Sequence, residues 1–183
     1  FQSLKVNVTG DNNVAVGYHA LFESTGDQNT AVGRSALKNN TASDNTALGY
    51  LACLSNTTGL KNTGVGSYAL KTNIDGDKNT AVGYNALYTF EADTDGHGEN
   101  TAVGYNAGHG LTTGTYNVAI GSTALDASSG TGDDNVAIGS ASLSDNTSGG
   151  LNVAIGSNAS NKNTEGDYNV AIGVNALRDN TGG

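Results

Sequence analysis

The chain contains no proline, no tryptophan and no methionine, and it has a single cysteine, Cys53. One cysteine excludes an intrachain disulfide framework and a cysteine-based zinc site. Charge is scarce as well. Asp, Glu, Lys and Arg make up 14% of the residues, against about 25% in ordinary globular domains. Eight Lys and Arg face seventeen Asp and Glu, for a formal net charge of −9. That leaves no basic footprint for nucleic acid or for an anionic membrane surface. No apolar run approaches the roughly 20 residues of a membrane-spanning helix, and no charged-then-apolar leader opens the sequence. We therefore expect no nucleic-acid partner and no membrane insertion by this segment. The hydrophobic share, 36%, is low enough to raise disorder, but disordered chains lack regular apolar spacing. The missing methionine and the start at Phe1 lead us to expect a piece of a longer or processed protein.

What the 183 residues do have is 27 glycines, much asparagine and threonine, and a repeat. The block Asn-(Thr/Val)-(Ala/Gly)-(Val/Ile/Leu)-Gly begins at Asn13, Asn29, Asn45, Asn62, Asn79, Asn100, Asn117, Asn135, Asn152 and Asn169. The ten copies are spaced by 16 to 21 residues, and together they read as one repeat domain over 1–183. Seven residues after each Asn comes a small residue, Ala in nine copies and Ser142 in the other, usually followed by Leu. A fixed offset beside a variable total places all length variation in the connecting loop.

Each block reads as a short strand. In Asn117-Val118-Ala119-Ile120-Gly121 large and small residues alternate with period two, so Val118 and Ile120 share one face and Ala119 takes the other. Segments such as Tyr84-Asn85-Ala86-Leu87 read as a second short strand, and the loops (Ser24–Asp27, Asn56–Gly59, Asp75–Asp77, Glu165–Asp167) are turn chemistry. No 3.6-residue apolar period occurs, so helix is excluded. Stacking one repeat per coil gives an all-β fold, a parallel β-solenoid of about ten coils. At about 4.8 Å per stacked strand, the rod is on the order of 45–50 Å long.

The expected interior is the β-branched set: Val14, Val16, Val32, Val82, Val103, Val118, Ile120, Val136, Ile138, Val153, Ile155, Val170 and Ile172, with an alanine and a leucine in each coil. Each large buried side chain contributes roughly 1.5–3 kcal/mol, which is little against the entropy of ordering a whole coil. We therefore expect the chain to gain burial by oligomerising. The ladder of small strand residues from Ala15 to Ala171 is a surface on which chains can approach closely.

The later repeats, above all Gly166-Asp167-Tyr168-Asn169-Val170-Ala171-Ile172-Gly173 with Val118–Gly121, Val136–Gly139 and Val153–Gly156, resemble the repeat of trimeric autotransporter adhesin heads. Earlier ones, such as Asn79-Thr80-Ala81-Val82-Gly83-Tyr84-Asn85-Ala86-Leu87, are similar to repeats in phage tail-fibre-type proteins. The likeness spans about Asn12 to Leu177. It implies a left-handed parallel β-roll, three rolls packed about a common axis as a homotrimer, and extracellular display on a bacterial cell surface or phage virion. The residue before Val is Asn rather than the family's Ser, and the longer coils imply larger protruding loops.

No catalytic constellation stands out, since His19, His97 and His109 fall at unrelated repeat positions. We expect no enzyme and no cofactor. Cys53 occupies a leucine position and reads as a small core hydrophobe. The longest loop, Glu91 to Glu99, alternates carboxylates before a glycine like the start of a calcium loop. Asp93, Asp95 and Glu99 are its candidate Ca²⁺ ligands, although the twelfth position, where such a loop carries a bidentate Glu, is Ala102. Thr30, Thr46, Thr63, Thr80 and Thr101 form a ladder in five consecutive coils, and regular threonine arrays on flat solenoids order water. The same position holds Val in the other five coils, which reads as an interior or chain–chain seam. Tyr18, Tyr50, Tyr84 and Tyr105 follow the motif glycine, with Tyr68 one step later. They either stack sugars or cover the roll's edge.

The resulting expectation is a structural, adhesive segment of a trimeric surface fibre that presents loops to a receptor such as a glycan or a matrix protein. The alternative is a stand-alone ligand-binding solenoid, ice-binding through the threonine ladder or calcium-stabilised.

Overall fold

The computed structural model describes residues 2–7, 9–92 and 97–181. It is an all-β solenoid without helix among those residues. Ten three-residue strands occur: β1 (Val14–Val16), β2 (Thr30–Val32), β3 (Thr46–Leu48), β4 (Thr63–Val65), β5 (Thr80–Val82), β6 (Thr101–Val103), β7 (Val118–Ile120), β8 (Val136–Ile138), β9 (Val153–Ile155) and β10 (Val170–Ile172). They stack in chain order into one parallel sheet. Every pairing aligns equivalent repeat positions, as in Ala15↔Ala31 and Ile138↔Ile155. Each strand begins one residue after a motif asparagine, so the repeat spacing sets the register.

The strand faces are the reverse of the expected ones. The small middle residue points inward: Ala31, Ala47, Ala81, Ala102, Ala137 and Ala154 are all fully buried. The β-branched residues point outward. Val14, Val16, Val103, Ile120, Ile155, Val170 and Ile172 are exposed, and Val32, Val82, Val118, Val136, Ile138 and Val153 are half-buried on the same outer face. The cause is the width of the lumen. Opposite the sheet lie the buried pairs Ala20-Leu21, Ala36-Leu37, Ala69-Leu70 and Ala86-Leu87, which fill the coil. In the coil where Cys53 faces Gly64, even a methyl group on Gly64 would come within 2.5 Å of Cys53 Sγ. A column of alanines fits this gap and a column of valines does not. The small-residue ladder is consequently the inner lining and not a surface for another chain.

Tyr84–Leu87 and its equivalents are turns and not a second strand. Residues two and four places after the motif glycine adopt left-handed backbone, as at Asn85 (φ 54°) and Leu87 (φ 49°). In a strand, neighbouring side chains point to opposite faces, yet here Ala86 and Leu87 are both buried. The left-handed residue folds the second side chain back inside. Each such residue costs about 1–2 kcal/mol, and the hydrogen bonding it permits offsets that cost. The Asn85 N–H donates back to Ser67 O (3.1 Å) and the Leu87 N–H donates forward to Ala107 O (3.0 Å). Inter-coil bonding therefore continues round the turn.

The motif glycine closes the strand at φ between 123° and 148° in all ten coils. At Gly83 an added Cβ would strike the carbonyl oxygen of Gly104 in the next coil. Only glycine meets both conditions there.

The asparagine that opens each motif forms the other corner, and eight of the ten are essentially fully buried. Its side-chain oxygen accepts the backbone N–H of the next motif asparagine: Asn45 to Asn29 (2.9 Å), Asn62 to Asn45 (2.8 Å), Asn79 to Asn62 (2.9 Å) and so on to Asn169 on Asn152 (2.9 Å). Its Nδ2 in most coils donates to a loop carbonyl of the next coil, as from Asn62 to Gly76 O (2.7 Å) and Asn135 to Gly149 O (2.8 Å). A second, shorter column, Asn40–Asn56–Asn73, runs beside it with side-chain amide bonds of 2.8 and 2.9 Å. Phe90 and Leu111 then take the equivalent buried places beside the longest loop.

Replacing Asn117 with Ala leaves the buried Asn135 N–H and Gly132 carbonyl without partners. Each orphaned group costs about 1–3 kcal/mol, so urea unfolding of Asn117→Ala is expected to show a loss of about 3 kcal/mol.

Candidate functional site

After the motif glycine the chain turns onto a surface where side chains one coil apart stack along the rod. In the first six coils this surface carries a continuous strip of rings and cations. The Arg34 guanidinium lies 5.9 Å from the Tyr18 ring centre and 5.7 Å from that of Tyr50. Tyr50 meets Tyr68 edge-on at 5.3 Å, and Tyr68 meets Tyr84 edge-on at 5.8 Å. Tyr84 and Tyr105 are near-parallel at 5.7 Å. These are the favourable aromatic geometries, and they come from in-register stacking of one repeat position, with Tyr68 reaching into a column where its own coil has Ser67.

A second column lies beside the first, built by the residues that follow the inward leucine position. Lys71 sits 4.9 Å over the Tyr88 ring and donates to its hydroxyl at 2.9 Å. Tyr88 stacks on His109 at 5.4 Å, and His109 Nδ1 lies 3.4 Å from Asp126 Oδ1. Burial raises the Asp126 carboxyl above the ordinary range, and the adjacent His109 pulls it back down. Between the two columns is an open cleft of about 410 Å³, lined by Tyr68, Lys71, Tyr84, Asn85, Tyr88 and His109. Farther back along the strip, His19 is held below its ordinary value by partial desolvation and then by Lys38, Lys5 and Arg34. The immediate surroundings of His19 are thus cationic, in a chain that is net acidic.

The threonine ladder lies on the outer face of β2 to β6, in register from Thr30↔Thr46 to Thr80↔Thr101. It is not interior. Thr46 is exposed and the other four are half-buried.

Of the candidate calcium ligands, Asp93 and Asp95 lie outside the described residues. Glu99 pairs with Lys78 at 2.6 Å, a bond that raises the Lys78 ammonium. Among the described residues no three His, Cys, Asp or Glu side chains converge as a metal site. Several loop carboxylates have a structural partner instead. The aspartate after a loop glycine accepts a backbone N–H from the preceding coil: Asp27 from Asp11 (2.8 Å), Asp77 from Leu60 (2.7 Å), Asp133 from Thr115 (2.7 Å) and Asp167 from Gly150 (2.7 Å). The Gly-Asp pairs in the loops are the sequence signal for this, and sequence reading took them only as turn and surface charge. The buried role of the motif asparagine was missed in the same way, although its presence in all ten copies marks it.

No protein-family model, no curated protein and no solved structure matches the chain.

Cys53 is buried in the lumen, and burial pushes its thiol up to about 12. The native thiol is expected not to react with a disulfide reagent at pH 8 and to react stoichiometrically once unfolded. Because the folded value lies above the unfolded 9.0, this group's contribution is intact below pH 9. Stability is then lost as the pH rises from about 9 towards 12, which urea titrations across that range measure.

Proposed function

We propose that the chain is a structural and adhesive segment of an extracellular surface fibre, a left-handed β-roll packed as a homotrimer on a bacterial cell surface or a phage virion. The observation that carries this reading is the outward aliphatic row Val16, Val32, Leu48, Val65, Val82, Val103, Ile120, Ile138, Ile155 and Ile172. These residues are paired in register along all ten strands. Isolated soluble chains rarely expose contiguous apolar patches beyond a few hundred Å², and a stripe running the length of a rod invites an identical stripe. Self-association supplies the burial that a lumen lined with alanine lacks. The number three comes from the resemblance to adhesin heads. In such an assembly the outward loops and the tyrosine strip face a receptor, and repetition over three chains turns weak contacts into avidity.

Light scattering is expected to give a mass of about 55 kDa, three times the 18.3 kDa chain. A mass of one chain overturns the fibre reading. Ile120→Asp, which leaves the coil interior untouched, is expected to dissociate the assembly while the far-ultraviolet circular dichroism persists.

One observation favours a second reading. The threonines Thr30, Thr46, Thr63, Thr80 and Thr101 stand on the outer face of a regular sheet, where they can order water. An ice-binding solenoid would show thermal hysteresis and crystal shaping as a single chain. A trimer without hysteresis rejects it.

A further inference from the structure

We infer that the cleft between the two side-chain columns binds acidic saccharides, with a sugar ring against Tyr84 and Tyr88 and a sugar carboxylate on Lys71. This deepens the proposed receptor-contacting role and rests on it. Three features of the cleft carry it.

The first is shape. About 410 Å³ is within the usual range of small-ligand sites. The cleft is open along one side, as a chain-like ligand entering from solvent requires. Tyr84 is nearly half exposed, at 47%, so one of its walls is aromatic surface in contact with water. The axial C–H groups of a pyranose form an apolar patch that packs on such surface.

The second is polar chemistry. Lys71 Nζ has three donors, and the Tyr88 hydroxyl takes one at 2.9 Å. The remaining donors are available to a carboxylate, and charge-assisted bonds of this kind are the stronger ones. The Asn85 amide and the Tyr88 and His109 polar atoms supply donors and acceptors for sugar hydroxyls.

The third is charge. The chain has seventeen Asp and Glu, yet none lines the cleft. The Asp126 carboxylate, next to the lining His109, is held by that imidazole at 3.4 Å. The strip leading away from the cleft carries Arg34 over Tyr18 and Tyr50, which extends the same ring-plus-cation chemistry for further sugar units. A neutral glycan would use the rings and leave the cation unused.

With no tryptophan in the chain and six of its eight tyrosines in these two columns, tyrosine emission reports mainly on this surface. The test titrates the full chain with the α-1,4-linked trisaccharide of galacturonic acid and with its carboxyl-reduced, neutral counterpart. Saturable quenching is expected, with the acidic sugar bound at least about tenfold more tightly, the factor expected for one charged hydrogen bond. Lys71→Gln is expected to remove that preference, and Tyr84→Ala to weaken both sugars. Arg178→Gln, at the far end of the rod, should change neither. Circular dichroism confirms that each variant is folded. Absence of saturable quenching overturns the inference, as does equal binding of the two sugars or binding unaffected by both cleft variants. The two readings fail separately. A trimer that binds no saccharide removes the cleft and keeps the fibre, whereas a single chain that binds it removes the trimer and keeps the cleft.

Discussion

The structure depends on a buried amide. An asparagine side chain carries its acceptor oxygen and its donor nitrogen on separate atoms, and in this chain it uses both on the neighbouring coil. Its oxygen takes the backbone N–H of the next asparagine and, in most coils, its nitrogen reaches a loop carbonyl of that coil. Two backbone groups that would be stranded at a corner, where β-pairing has ended, are thereby satisfied inside the fold. An aspartate in this column would lack the donor and bring a charge into an enclosed lumen. A serine is too short to span both contacts.

Given that column, much else follows. The asparagine and the paired Ala-Leu side chains occupy the interior, so only alanine or glycine fits on the strand between them. The bulky strand residues are then forced outside, where they create the apolar stripe behind the proposed self-association. The corner glycines repeat at one height per coil, and the next residue begins a column of like side chains. The tyrosine strip is therefore a by-product of the register, and a ligand surface is obtained wherever that column carries rings.

The stacking of ten coils, the strand positions and the loops as the site of length variation were all legible from spacing. Spacing is what in-register parallel pairing preserves. The direction of the strand faces was not legible. Period-two alternation says that Val118 and Ala119 face opposite ways, but it is symmetric under exchange of inside and outside. The usual preference for burying the larger residue is overridden here by lumen width. Tyr84–Leu87 misled for a related reason, because left-handed backbone at every second residue leaves a strand-like sequence pattern while placing Ala86 and Leu87 on one side. The pairing of the two ring columns into a cleft was out of reach, since Lys71 and Tyr84 meet only through the inter-coil register.

The inter-coil hydrogen bonds lie along the rod, whereas the covalent chain runs around it. A pull on the two ends of a single rod therefore loads its rungs in series, and each rung carries the whole force. Coils are expected to peel away one at a time from an end, each releasing 16 to 21 residues of slack, because a solenoid repeat is held only by its immediate neighbours. Such a rod lengthens stepwise under tension and dissipates work as it does so. Lateral association along the outer stripe would oppose that peeling by tying each coil to others at the same height.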